Sequence, residues 1–154
     1  MEPLIEARLL AENYIDYAPR TRREVERRLQ RAEYDQDVIE AVLNGLEHAN
    51  LINDTEFSAL WVESRARSKK LGRARLSNEL RLKGVDKEIV ESAVDVLSDE
   101  DQLEAALVLA QKKWKEGDER DPAAKRRLAG FLQRRGYNWS IIEQVFRRLS
   151  SNME

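Results

Sequence analysis

Residues 74–97 read ARLSNELRLKGVDKEIVESAVDVL, and their pattern returns twice without gaps, as REVERRLQRAEYDQDVIEAVLNGL from Arg23 and RRLAGFLQRRGYNWSIIEQVFRRL from Arg126. Apolar residues coincide at Val25/Leu76/Leu128, Leu29/Leu80/Leu132, Tyr34/Val85/Tyr137, Val38/Ile89/Ile141, Ile39/Val90/Ile142, Val42/Ala93/Val145, Leu43/Val94/Phe146 and Leu46/Leu97/Leu149. On either side of the Tyr/Val column the spacing is i, i+4 or i, i+3, i+4, which predicts two helices joined by a turn. The turn has matching chemistry. Asp35, Asp86 and Asn138 share a column from which a side-chain oxygen can cap the next helix. The residue before each cap and the one four after it are apolar, the spacing of a hydrophobic staple. Gly84 and Gly136 stand where the preceding helix would end in a left-handed residue. Glu33 holds that place in the first copy, so its turn is expected to be less favourable or differently shaped.

Working outward, each pair is preceded by a further helical pattern. Pro3 to Ala18 reads as one helix, stopped by Pro19, after which Thr21 and Glu24 form a capping box for the next. Asn53 to about Ser68 reads as the second, with Asn53 and Glu56 in capping-box spacing and Phe57, Leu60 and Trp61 on one face. Glu100 to about Lys115 reads as the third, followed by a loop containing Gly117 and then by Asp121-Pro122, a cap with a favoured first helical residue. The predicted fold is all-α: three tandem three-helix repeats, helix-turn-helix-like, spanning 4–52, 53–98 and 99–150 and forming an elongated, curved array. A unit of this size buries a small fraction of its surface, so neighbouring units must stabilise one another. No Pro/Gly/Ser tract separates them at 51–53 or 97–99, which predicts close coupling.

Composition excludes several classes. The longest apolar run, Ala105 to Ala110, is far short of the roughly 20 residues that cross a bilayer. Glu2, Glu6, Glu12 and Asp16 break up the N-terminal apolar positions, which leaves no signal-peptide core there. Without cysteine there is neither a disulfide framework nor a thiolate metal site, and the cytoplasm is the expected compartment. The single histidine, His48, has no second His or Cys with which to bind a metal, and no phosphate-cradling G-x-x-x-x-G-K-[ST] loop is present. The reading is of a protein that is not an enzyme and uses no cofactor.

The run Asp54-Thr55-Glu56-Phe57-Ser58-Ala59-Leu60-Trp61-Val62, with Arg65, Arg67, Gly72, Arg75-Leu76, Glu79-Leu80 and Lys83-Gly84-Val85, resembles the central signature of the RecX regulatory family. The tandem three-helix repeat fits the architecture of that family as well. The resemblance implies a non-enzymatic regulator, usually an inhibitor, that binds the RecA recombinase and the RecA–DNA filament. In doing so it would modulate filament growth, strand exchange and RecA ATP hydrolysis in recombinational repair and the SOS response. A monomer is expected, with no membrane partner and with weak affinity for DNA alone.

Charge points to where such a partner would be met. Residues 65–83 carry eight bases and one acid, whereas 84–104 carry Lys87 against eight acids, in a chain of formal net charge -2. A surface selected only for solubility would intersperse the signs. Arg65, Arg67, Lys69, Lys70, Arg73 and Arg75 are therefore the first candidates for an anionic partner, either acidic protein or DNA. Arg126, Arg127, Arg134 and Arg135 form a second group, with Lys112, Lys113 and Lys115 near it in sequence. The first repeat, with seven bases against eleven acids through residue 52, is the weaker candidate.

The alternative is a helical module that acts by occupying single- or double-stranded DNA. A base-reading helix should offer Arg, Lys, Asn or Gln near its start. DKEIVESAV and DQDVIEAVL offer mainly acids, and only NWSIIEQVFRRL escapes that objection. Among possible stacking platforms for bases, Trp61 is expected in the core, while Trp139, one residue past a cap, can face solvent or a partner.

Overall fold

The computed structural model describes residues 2–151. Among these residues there are nine α-helices and no strand: α1 Pro3–Tyr17, α2 Arg22–Arg31, α3 Gln36–His48, α4 Asp54–Lys69, α5 Arg73–Leu82, α6 Lys87–Val94, α7 Asp99–Lys113, α8 Pro122–Arg134 and α9 Trp139–Ser151, with a short 3-10 turn at Asp118–Arg120. No helix of the described residues is long and apolar enough to cross a membrane.

Local chemistry sets these ends. Pro3 opens α1 and the extended Ala18-Pro19 step closes it. The Thr21 hydroxyl accepts from the Glu24 amide at 3.2 Å while the Glu24 carboxylate accepts from the Thr21 amide at 3.0 Å, so the capping box is complete. Asn53, Ser98, Asp121 and Asn138 each accept a backbone N–H of the following helix. Asp35 does not. It stands at the N-cap of α3 without a side-chain bond, so its contribution there is that of a negative charge beside a helix N-terminus.

The turn at Glu33 corrects the expectation of a different shape. Its φ is +64°, beside +82° at Gly84 and +103° at Gly136. The same two backbone bonds follow in each case: Glu33 to Gln30 and Tyr34 to Leu29, Gly84 to Arg81 and Val85 to Leu80, Gly136 to Gln133 and Tyr137 to Leu132. Glu33 thus takes the glycine conformation, at a cost of roughly 1–2 kcal/mol. What glycine supplies at the other two turns is room. A side-chain carbon on Gly84 would stand 2.3 Å from Cβ of Arg23, and one on Gly136 would stand 2.5 Å from Cβ of Arg75. Both glycines receive the first residues of the middle helix of the preceding repeat, and Glu33, in the first repeat, is exposed.

These two joints follow one plan. The Thr21 hydroxyl donates to the Lys83 carbonyl at 2.7 Å, and 51 residues on from Thr21 the Gly72 amide donates to the Arg135 carbonyl at 2.8 Å. In both, the acceptor is the residue before the turn glycine.

The chain divides into two compact units, one comprising residues through Leu60 with Leu80–Val90, the other Trp61–Glu79 with residues from Glu91 onward. In the first, α1, α2 and α3 close around Ala7, Ala11, Val25, Leu29, Ile39, Val42, Leu43, Leu46 and Ile52. In the second, α7, α8 and α9 close around Leu103, Ala106, Ala110, Leu128, Leu132, Tyr137, Ile141, Ile142, Val145 and Leu149. None of the aligned apolar columns is exposed. The core face of α4 differs from expectation. Ser58 and Val62 are fully buried, Phe57 and Trp61 are half-buried, and Leu60 is 56% exposed, because the inward stripe runs through 58 and 62, one position on from the pair 57 and 61.

Candidate partner-binding surface

All ten basic residues singled out from the sequence lie in the second unit. The α4–α5 turn, Lys70 to Gly72, sits directly on the α8–α9 turn, Arg135 to Asn138. Gly72 donates to the Arg135 carbonyl at 2.8 Å, Ala74 donates to the Gly136 carbonyl at 3.2 Å, and the Tyr137 hydroxyl donates to the Lys70 carbonyl at 2.5 Å. Two basic segments more than 60 residues apart in sequence are thereby joined. Burial pushes the Tyr137 phenol up to about 12 despite the neighbouring Arg135 charge, so it remains a protonated donor at neutral pH.

The joint uses up much of the charge it gathers. Arg65 holds Glu79 in a two-pronged pair, Nε to Oε1 at 2.7 Å and a second nitrogen to Oε2 at 2.8 Å, and its guanidinium lies 5.0 Å from the centre of the Trp61 ring. The Trp61 indole donates to the same carboxylate at 3.0 Å. Arg75 adds a contact to Glu79 at 3.5 Å and donates to the Arg134 carbonyl at 3.3 Å. Burial raises the Glu79 carboxyl, but the hydrogen bonds from Arg65 and Trp61, with the charges of Arg65 and Arg75, outweigh it and hold the group below its ordinary value. Arg73 donates to the Leu97 carbonyl at 3.1 Å and pairs with Asp99 at 2.5 Å, while its amide donates to the buried Gln102 side chain at 2.9 Å. Arg135 donates to the Lys69 carbonyl. Lys70 is half-buried with φ +51°.

The remaining members face outward. The Arg67 side chain is 76% exposed, its neighbour being Glu63 at 3.6 Å one turn earlier, and Lys69 is exposed at the end of α4. Arg126, Arg127 and Arg134 are exposed along α8, and among the described residues none of these three is in an ion pair with a carboxylate. Trp139 is 62% exposed, its indole donating to Glu143 at 2.8 Å. Trp114 is half-buried, edge-on to Phe146 with ring centres 5.9 Å apart. His48 is exposed at the end of α3.

The internal use of Arg65 and Arg73 is not apparent from their positions in the sequence. The signal was present in Glu79, the one acid of the basic run, at i, i+4 from Arg75. Gln102 and Tyr137, which tie the joint together, gave no charge signal at all.

Profiles of the three RecX domains match this chain in order: the first three-helix domain over residues 7–46, the second over 53–94 and the third over 99–146. The chain belongs to the RecX family. It is 37% identical over 149 residues to a regulatory protein RecX of Streptomyces coelicolor, covering 96% of this chain and 79% of that one. To the regulatory protein RecX of Amycolatopsis mediterranei it is 40% identical over 129 residues, 83% of this chain and 74% of the other. The crystal structure of RecX from Lactobacillus salivarius superposes with a TM-score of 0.87 at 27% identity, covering 96% of both chains. A second RecX crystal structure, at 22% identity and a TM-score of 0.82 over 92% of this chain and 70% of that one, shares the fold. RecX domain order, helix content and repeat pattern therefore agree along nearly the whole chain.

Proposed function

We propose that this chain is a non-enzymatic regulator of the RecA recombinase, acting in the cytoplasm as a monomer. It binds RecA and the RecA–DNA filament and modulates filament growth, strand exchange and RecA ATP hydrolysis during recombinational repair and the SOS response. Membership of a family of regulatory proteins supports the first part of this reading. The observation that carries the choice of surface is the set of outward cations in the second unit: Arg67 and Lys69 on α4, and Arg126, Arg127 and Arg134 on α8. Exposed charges of this kind contribute little to folding but steer association with an anionic partner. Arg65, Arg73, Arg75 and Arg135, tied to internal acceptors, act on this reading by holding the surface in shape, and Lys70 belongs to the same joint.

The test is capture of the full chain by RecA with DNA absent, beside affinity for naked DNA and for the assembled filament at one salt concentration. Binding to RecA or to filament well above binding to naked DNA is expected. Equal affinity for filament and for naked DNA would replace the regulator reading with that of a DNA-occupying module.

A further inference from the structure

Beside the end of α7 and along α8, the second unit carries a half-open hollow of about 380 Å³, lined by Lys113, Trp114, Arg126, Arg127, Phe131 and Arg134. Four cations thus meet at one hollow, and the acid beside them, Asp118, already accepts the Lys115 amide at 2.9 Å. None of the four cations has an ion-pair partner among the described residues, and Lys113 lies with its ammonium 4.4 Å from the centre of the Phe131 ring. Four positive charges gathered against the single carboxylate of Asp118 are unfavourable in the free protein, and an anionic ligand relieves that cost. Trp114 supplies an independent observation. Its Nε1–H is buried and has no acceptor among the described residues. That nitrogen is closed to solvent, so it is the body of the half-buried indole, and not its N–H, that lines the hollow.

The hollow fits one ligand chemistry best. Its volume lies at the small end of the roughly 300–1,000 Å³ range of ligand pockets. An acidic side chain would satisfy the charge but would leave the indole and phenyl walls unused. A nucleotide brings both halves: phosphate oxygens for the guanidinium groups and a flat nucleoside for the aromatic and aliphatic wall, the combination by which single strands are held without base reading. Duplex DNA cannot enter a concave site of this size with its bases stacked. We propose that this cavity binds a phosphodiester unit of single-stranded nucleic acid, with Arg126, Arg127 and Arg134 on the phosphates and Trp114 beside the nucleoside. The assignment rests on the reading of the outward cations as the partner surface, and it names which component of that partner this hollow meets.

The experiment uses the intact chain and fluorescein-labelled oligo(dT), read by anisotropy over a salt series, with circular dichroism confirming that each variant is folded. Arg126→Ala with Arg127→Ala is expected to weaken binding tenfold or more and to flatten the slope of log affinity against log salt by about 1.4, two single-strand phosphates at about 0.7 each. Trp114→Phe is expected to weaken binding with the salt slope unchanged. Thymidine monophosphate should compete, and inorganic phosphate should compete less well. Unchanged affinity and slope in the folded double variant would overturn the site. Phosphate competing as well as the nucleotide would overturn the nucleoside contact, and a poly-glutamate peptide competing better than the nucleotide would reassign the cavity to an acidic protein. The two readings fail separately. Oligo(dT) binding lost in the double variant, in a chain that never engages RecA, removes the filament role and keeps the cavity; filament modulation with oligo(dT) binding indifferent to Arg126 and Arg127 does the opposite.

Discussion

A side-chain carbon placed on Gly72 would stand 2.3 Å from the carbonyl oxygen of Gly136, closer than non-bonded atoms approach. The two glycines let one turn rest on another with backbone touching backbone. Gly136 carries a second demand, its φ of +103°. Gly117 shares that demand, with φ +93°, but nothing lies within 4 Å of its missing side chain. Gly117→Ala should therefore cost about 1–2 kcal/mol, the conformational cost alone. Gly136→Ala should cost that and a further ~1–3 kcal/mol for forcing the joint apart. Urea denaturation compares them, and equal losses would mean that the turns are not in tight contact.

Leu80 and Leu82 sit two residues apart on α5, one fully buried and the other 69% exposed. Leu80→Ala removes a packed side chain and is expected to cost about 2–5 kcal/mol. Leu82→Ala should stay within about 0.5 kcal/mol. Thermal melts of the pair check the register of α5, because a rotation of the helix by half a turn would exchange the two values.

Glu79 and Asp54 should pull acid stability in opposite directions. The Glu79 carboxyl is held below its ordinary 4.5 in the folded protein, so the stability it contributes is complete above that pH and is lost as pH falls through its lowered folded value. Burial, opposed by a hydrogen bond from the Arg22 amide, leaves Asp54 above its ordinary 3.8. Its charged form therefore costs stability above the raised value, and that cost is relieved as pH falls toward 3.8. Glu79→Gln is expected to lower stability near neutrality and to flatten the loss below pH 4.5. Asp54→Asn should steepen the net loss on acidification by removing the opposing gain. Urea midpoints measured between about pH 3 and 7 decide both signs.

Helices, caps and the repeat were legible because they are local. A column of Leu, a Thr three residues before a Glu, or an Asp before Pro states its own geometry within a few residues. The joint was not legible, since Gly72 and Gly136 look like ordinary turn residues until the turns are brought together. Glu33 is misleading for a related reason: left-handed geometry alone does not require glycine, and the close approach of another chain segment is the stricter demand. In the basic run, charge was countable but its use was not. Arg65 and Arg67 are two residues apart and of one type, yet the helix turns the first toward Glu79 and the second to solvent. The cavity at Trp114 lay beyond reach because Lys113 and Arg126 come together only when α8 folds back beside α7.

Charge used inside the fold and charge left outward can be separated by mutation. Reversing Arg75 would confound folding with binding, since it would place a second carboxylate beside Glu79, which Arg75 approaches at 3.5 Å. Arg67 and Arg126 are exposed, and the carboxylate 3.6 Å from Arg67, Glu63, is itself exposed, so charge reversal at these two sites costs folding little. Arg67→Glu with Arg126→Glu should leave stability within about 0.5 kcal/mol per site while weakening binding to the RecA–DNA filament at low salt. Arg65→Gln should behave conversely. It strips a half-buried carboxylate of its main partner, where hydrogen bonds to charged groups are worth about 1.5–3 kcal/mol, and it removes no outward charge. Reversal at the exposed Arg27 and Arg31, in the acid-rich first repeat, should change neither quantity appreciably. Thermal stability and filament affinity measured on all three variants place each on two axes. Should the Arg67/Arg126 variant bind filament as the parent does while remaining folded, the outward cations would be solvated surface, and the partner would have to be met elsewhere on the chain.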